Sequence, residues 1–388
     1  MPNFSFFDLH LASHTRHPAS IAHAIENLCP GNKYQFIYEE KNGASEKEIL
    51  KKLPVNSEII YSGFPSRTNI NHKLTRFKPD ALIVMAQRIP DSAYVSIAKT
   101  LNIKTFMFQH GLYIPFTKRE PSLFFKKFVK SLRYIICVLT IAETIKEDKI
   151  KYLQYYIKNL VSGQNITGLI DKDKINVDKV LVYGNFWKEY HHQLFGYSDE
   201  SQYVIGYPDL IKVKDISSLP QENSICYIAQ TLVEDGRLSR DIFLDFIKIL
   251  SSCISNDKKI YIKLHPRSDL SLYKQLKEFN KAEFCNNNIP HCTHYIGHYS
   301  TLVAVIAMVN TNVLLWNFEG HEIPSYFADI CRVKTADVKE LVDFINNYAI
   351  LENEYENNLK SQFQNFFYFD GEDPLQKTAK IILNSVKR

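Results

Sequence analysis

The sequence has no apolar run long enough to cross a membrane as a helix. Its best candidate, Tyr134–Ala142 (YIICVLTIA), has nine residues, where a spanning helix needs about 20. No secretory leader is expected either. MPNFSFFDLH has neither the basic n-region nor the long apolar core of a secretory signal, so a cytoplasmic protein is expected. Cysteine chemistry is sparse. Cys29, Cys137, Cys226, Cys253, Cys285, Cys292 and Cys331 are odd in number and include no C-x-x-C pair. Most sit in apolar runs, such as Cys226 in SICYIA, which suits reduced core thiols. With no leader, the Asn165-Ile-Thr167 sequon is expected to be accidental. No internal repeat or low-complexity linker interrupts the chain. An apolar fraction of 45% and a charged fraction of 23% exclude a disordered or collagen-like chain. No recognised module or distributed basic surface accompanies the aromatic content, so nucleic acid is not an expected partner.

What is present begins with a local charge excess. The 388 residues carry 47 Lys+Arg against 42 Asp+Glu, a net +5. Residues 117–133 (TKREPSLFFKKFVKSLR) hold Lys118, Arg119, Lys126, Lys127, Lys130 and Arg133 against Glu120 alone, which accounts for the whole excess of +5. Phe124, Phe125, Phe128, Val129, Leu132, Ile135 and Ile136 recur there at helical spacing, with the basic residues off that stripe. Such a helix either packs on its own domain with a basic, acceptor-binding or solvated face, or lies on an anionic membrane surface through residues 117–136.

The rest of the chain alternates strand-like and helix-like segments. Asn3–Leu11, Tyr34–Tyr38, Glu58–Tyr61, Ala81–Met85, Lys104–Phe108 and Lys179–Tyr183 read as strands, with helices at Ala19–Leu28, at Ser92–Leu101 and through most of 122–161. The region Gly196–Gln221 breaks the rhythm. A second series follows, with strands at Ser224–Ala229, Lys259–Leu264, His294–Ile296 and Val313–Trp316. Its helices are Ser239–Cys253, Ser271–Phe279, Thr301–Val309, Asp337–Tyr348 and Pro374–Val386. Short continuous apolar runs such as ALIVM belong in parallel sheets covered on both faces. The expected fold is α/β: two Rossmann-like doubly wound domains with a ligand cleft between their strand C-terminal ends. The expected limits are 1–205 for an N-terminal acceptor domain, 206–372 for a C-terminal donor domain, and 373–388 for a C-terminal helix crossing back.

Three segments fall where such sheets keep their sites, just after a strand. Gln109-His110-Gly111 follows KTFMF. A neutral His110 can act as a general base near pH 7, and Gly111 lets backbone approach closely. His265-Pro266-Arg267 follows KIYIKL. The proline ends the strand, His265 can donate to a phosphate oxygen or act as an acid, and Arg267 can add a charge-assisted bond to an anion. Ser300-Thr301 opens the helix through LVAVIAM, where Ser300 is either a simple N-cap or part of a phosphate site.

In combination these segments resemble the GT-B glycosyltransferases of bacterial capsule and lipopolysaccharide assembly, especially the sialyltransferase and polysialyltransferase type. Ile262–Pro266 matches that group's I-K-L-H-P form, and Ser300 and Thr301 match its Ser/Thr pair. The resemblance implies that His265, Ser300 and Thr301 grip the cytidine monophosphate of a CMP-sugar. It also implies an inverting, metal-independent transfer of a nonulosonic acid (sialic, pseudaminic or legionaminic) or Kdo to a glycan or glycolipid. The group's acidic base motif is not kept: its place reads Gln109-His110-Gly111, so His110 would replace the carboxylate. That departure also suits CDP-glycerol glycerophosphotransferases of teichoic acid synthesis, which carry a W-H-G type motif. A non-catalytic glycan-binding scaffold is the third alternative.

Further residues are candidates by position. His14, Arg16 and His17, with Gln109 and Gly111, would touch acceptor. Gln230, Thr231, Glu319 and Glu322 would join Pro266 and Arg267 on the donor. Asp171-Lys172-Asp173 has the spacing of metal-dependent transferases but follows no apolar strand, and His291, Cys292, His294 and His298 straddle one. No metal or cofactor is therefore expected. The protein is expected to be cytoplasmic, with the inner face of the cytoplasmic membrane as its surface of association.

Overall fold

The computed structural model describes residues 1–388 except 42, 113–127, 163–171, 211–220, 256, 266, 286–288, 309–311, 320–322, 329–330, 332, 348–362, 369 and 387–388. Its elements, in chain order, are β1 (Asn3–His10), α1 (His17–Leu28), β2 (Lys33–Glu40), β3 (Ser57–Tyr61), α2 (Arg67–Phe77), β4 (Ala81–Val84), α3 (Ile89–Thr100) and β5 (Lys104–Phe108). Then come α4 (Phe128–Ile145), α5 (Lys149–Ser162), β6 (Lys179–Val182), α6 (Asn185–Phe195) and β7 (Gln202–Val204). The second series is β8 (Gln221–Ile228), α7 (Arg240–Cys253), β9 (Lys259–Lys263), α8 (Lys274–Phe279), β10 (Glu283–Cys285), β11 (Cys292–Gly297), α9 (Thr301–Ala307), β12 (Val313–Trp316), β13 (Val333–Thr335) and α10 (Val338–Asn346), and α11 (Pro374–Val386) closes the chain.

The described residues group into two units: 1–110, the described part of 124–208 and 365–388 in the first; 111–112 and the described part of 209–364 in the second. The first is built on a seven-stranded sheet ordered β3-β2-β1-β4-β5-β6-β7, the second on a six-stranded sheet ordered β10-β9-β8-β11-β12-β13. Every ladder in both is parallel. The expected α/β, doubly wound architecture is therefore what the chain adopts.

The composition of the strands explains their place. All four residues of β4 are buried, as are the four of β12, which fits sheets covered on both faces. Each sheet reverses its winding beside its first strand: β1 lies next to β4, with Phe7 opposite Val84, and β8 lies next to β11, with Tyr227 opposite Ile296. Ligand crevices form outside the strand C-termini at such reversals. Both sites described below lie there.

The chain's last segment belongs to the first unit. Helix α11 packs on α1, burying Ala379, Ile382 and Leu383. Ahead of it, the carbonyl of Phe366 takes the indole N–H of the fully buried Trp187 at 2.9 Å, and Tyr368 N–H reaches the Tyr183 carbonyl at 2.9 Å. A side chain at Gly184 would collide with the carbonyl of Asn365, so the turn after β6 needs a glycine to admit this strap. Three strands had no sequence signature. Strand β7 lies inside the region that breaks the β-α-β rhythm, and β10 and β13 are equally brief; with three residues each, none shows a period.

Candidate active site

The first unit gathers polar groups along the C-terminal edge of its sheet. At the end of β1, Asp8 is 2% exposed. Its Oδ1 accepts the Leu9 N–H at 2.6 Å and the Arg88 guanidinium at 3.2 Å. Arg88 precedes α3 and also binds both oxygens of Asp91, at 2.6 and 2.9 Å, while Asp91 caps the Arg88 N–H. Burial pushes the Asp8 carboxyl up, but Arg88, His110, His14 and the Leu9 N–H outweigh it and hold it below the ordinary value. On β2 the buried Glu39 is pushed up to about 7 by burial, with Arg133 opposing the rise. Arg133, which the helical pattern assigns to a basic outer face, instead turns inward: it donates to the carbonyls of Glu39 and Gly63 at 3.3 and 2.7 Å.

His110 is exposed just past β5. The ring of His17, buried at the start of α1, stands edge-on to it at 5.4 Å and against Phe108 at 5.2 Å. Pro18 supports that position, since proline suits a helix's first turn. His14 is fully buried, with Nε2 on the Ile37 carbonyl at 3.0 Å. A carbonyl cannot donate, so this nitrogen carries the proton. Burial lowers the His14 pKa despite the pull of Asp8, which keeps its ring neutral near pH 7. Arg16 is exposed and donates to the Tyr207 hydroxyl at 3.3 Å. Gln109 is fully buried; its side-chain oxygen takes the Tyr183 N–H at 3.0 Å, tying the ends of β5 and β6.

The second unit gathers a different set along its own edge. Past β9, His265 Nδ1 accepts the backbone N–H of Arg267 at 3.1 Å, and the His265 N–H meets the Ser268 hydroxyl at 3.1 Å. In the neutral ring this leaves Nε2–H as a donor. The Arg267 guanidinium grips Asp235 at 2.7 and 3.2 Å and the Thr231 hydroxyl at 3.1 Å. Burial raises the Asp235 carboxyl, but Arg267 and Thr231 hold it below its usual value. Gln230, past β8, donates through Nε2 to the Tyr299 carbonyl. Ser300 caps α9, its hydroxyl accepting the Val303 N–H at 3.2 Å. Thr301 Oγ1 accepts the Leu112 N–H at 3.1 Å. Gly111, at φ +79°, precedes that contact, and a Cβ on it would stand 3.1 Å from the same oxygen; both facts favour glycine there.

The edge of β9, β8 and β11 thus brings together Gln230, Thr231, His265, Arg267, Ser300 and Thr301. Glu319 is exposed past β12. Glu322, Pro266 and Asp171 lie outside the described residues, as do 113–127, the greater part of the basic segment. Of its remainder, Val129 and Leu132 on α4 are 71% and 45% exposed. His298 is committed to the second unit's interior, between the Tyr227 hydroxyl and the Trp316 carbonyl at 2.9 and 3.1 Å. The acids Asp8, Glu39, Asp91 and Asp235 were not among the expected site residues. Asp8 had a signal, as the one acid in the apolar strand NFSFFDLH, and Arg88-x-x-Asp91 has the spacing of a helix cap.

The family model described as Alpha-2,8-polysialyltransferase (POLYST) matches residues 16–291. His110 and His265 fall inside that match; Ser300 and Thr301 follow it. No curated protein matches the chain. Among solved structures, the wall teichoic acid polymerase TagF soaked with CDPG aligns with a TM-score of 0.56 and 12% identity over 99% of this chain and 88% of that one. The calicheamicin glycosyltransferase CalG4 aligns at 0.55 and 10%, over 100% and 99%. A UDP-GlcNAc 2-epimerase from Methanocaldococcus jannaschii aligns at 0.53 and 12%, over 98% and 99%. These likenesses share the GT-B fold.

Proposed function

Since the chain belongs to the alpha-2,8-polysialyltransferase family, for which glycosyl transfer is the general activity, we propose that it is an inverting glycosyltransferase. It moves a nonulosonic acid or Kdo from a CMP-sugar to a capsular or lipopolysaccharide glycan. The observation that carries this reading is the second unit's edge. The Arg267 N–H fixes the His265 tautomer so that Nε2–H is a donor, and the Ser300 and Thr301 hydroxyls follow β11 on the same sheet edge, with β8 between the two strands.

In the proposed reaction an acceptor hydroxyl attacks the anomeric carbon from the face opposite the phosphate. The bond from that carbon to the phosphate oxygen breaks through an oxocarbenium-like state. CMP leaves with the bonding electrons. His265, Ser300 and Thr301 donate to the oxygen on which charge grows, with Arg267 beside them. His110 takes the acceptor's proton. The charge is met by protein groups alone in this scheme, and no metal or cofactor takes part. We place the protein in the cytoplasm, on the inner face of the membrane; the exposed Val129 and Leu132 on α4 support an apolar contact there.

A thermal-shift screen with CMP, CDP, UDP and GDP, followed by CMP release from CMP-sialic acid and CMP-Kdo, tests the reading. Stabilisation by CMP above the other nucleotides, with CMP release, is expected. Release from CDP-glycerol alone would make the protein a polyol phosphotransferase, and no nucleotide binding would leave a glycan-binding scaffold.

A further inference from the structure

We propose that Asp8 is the positioning residue for His110, supplying the fixed negative charge against which the His110 imidazole accepts the acceptor's proton. This rests on the reading of His110 as base. It adds a partner from a different strand, outside the segment matched by the family model.

The two oxygens of Asp8 are unequally used. Asp8 Oδ1 is occupied by the Leu9 N–H and Arg88. Oδ2 is equally buried and has no hydrogen-bond partner among the described residues. A buried carboxylate oxygen left unpaired is costly, about 1–3 kcal/mol or more. Nor is Arg88 a dedicated partner, because it gives two bonds to Asp91 and one to Asp8. One guanidinium thus serves two buried carboxylates, and Asp8 keeps negative charge to share.

The topology says where that charge acts. Strand β4 separates β1 from β5, so the ends of β1 and β5 lie two strand spacings apart, about 10 Å. Asp8 lies near the end of β1 and His110 just past β5, and His110 is among the groups that hold the Asp8 carboxyl below its ordinary value. Around Asp8 stand Arg88 from the loop before α3, His110 from beyond β5 and His14 from the loop after β1, with the Asp91 carboxyl on α3, which burial and Asp8 push up, sharing Arg88. His14 is neutral near pH 7 with its proton on the Ile37 carbonyl, so it leaves the charge of Asp8 unspent. Around His110, the edge of His17 packs from α1 and restricts how the ring can turn. Glu39 and Arg133 stand on the same edge, as do His10 and Glu40, which pair at 3.2 Å where β1 and β2 end.

In the catalytic step the proton leaves the acceptor hydroxyl for a ring nitrogen of His110. The hydroxyl's electron pair forms the new glycosidic bond, CMP departs with the pair of the broken bond, and Asp8 stays ionised beside the imidazolium. The proton goes to solvent after product leaves.

Histidine-selective NMR titration of the full-length protein tests this, with the His110 signal assigned by its loss in His110→Gln. In Asp8→Asn the His110 pKa should fall by roughly one unit, the effect of removing a nearby opposite charge. Transfer from CMP-sialic acid to an α-2,8-linked trimer of sialic acid should lose about tenfold or more in kcat with an unchanged donor KM, and the acid limb of kcat/KM should move down by the same interval. If Asp8→Asn does not fold, Asp8→Ser, which still accepts the Leu9 N–H, is read in the same way. An unshifted His110 titration in the folded variant overturns the role of Asp8 while leaving His110 as base. Wild-type turnover by His110→Gln overturns the base assignment, and the role of Asp8 falls with it.

Discussion

The two sheets offer their C-terminal edges to different kinds of chemistry. In the first unit the edge is ionic and enclosed. Asp8, Glu39, Asp91, Arg88 and Arg133 form a network around buried carboxylates, one of which is pushed up to about 7. In the second unit the edge consists of an imidazole tautomer set by a backbone N–H, two hydroxyls, and one Arg267–Asp235 pair whose cation side chain is 57% exposed. Buried charge tunes where a proton rests, because low dielectric magnifies each neighbour. Neutral donors on short strand ends suit an anion that arrives and leaves, since none of them loses a permanent partner when the site empties. In the proposed reaction the proton therefore belongs to the first edge and the leaving phosphate to the second.

The largest test of that division is a pair of substitutions. His110→Ala should lower kcat by about 10²–10⁴, the range of a lost general base, while CMP affinity by calorimetry stays within about twofold of wild type. His265→Ala should weaken CMP binding and lower kcat together, each by about tenfold or more, as for a hydrogen bond to a charged group. If His110→Ala weakened CMP as strongly as His265→Ala does, the two edges would not divide the work as argued.

The second test concerns the stability of the first edge alone. Glu39 ionises at about 7 in the folded chain and at about 4.3 when unfolded. Its buried, protonated form is the one the fold tolerates. Stability is therefore greatest below the unfolded value and falls as pH rises from about 4.3 through about 7, by up to roughly 4 kcal/mol at about 1.4 kcal/mol per unit. Glu39→Gln should remove this dependence, raising Tm at pH 8 and leaving it nearly unchanged at pH 4.5. Equal Tm differences at the two pH values would mean that Glu39 is not titrating in this range.

The second edge was far more legible in the sequence than the first, for a physical reason. His265 and Ser300-Thr301 are contiguous with the strands that present them, so a strand pattern followed by a turn locates each one. KTFMF and VLLW were legible to the residue, because parallel strands covered on both faces are short unbroken apolar runs. The ionic network is assembled from β1, β2, α4 and the loop before α3, which only the sheet order brings together. Arg133 shows the limit most clearly. Helical periodicity placed it off the apolar stripe, yet its stem carries the guanidinium inward to two backbone carbonyls; a long side chain can bury its stem and still satisfy its head.

The smallest expected effect sharpens the claim that the second edge is a lightly held anion site. Arg267 binds Asp235 through two nitrogens and Thr231 through one of them. In Arg267→Lys the charge remains but the planar fork is lost. Folding stability should change by less than about 1 kcal/mol, because the cation is largely exposed and such pairs contribute little. CMP affinity should weaken by only a few fold (about 1 kcal/mol or less), since His265 and the hydroxyls still donate to the phosphate. A loss as large as that of His265→Ala would mean that Arg267 releases Asp235 to hold the nucleotide, and the second edge would then be as ionic at work as the first is at rest.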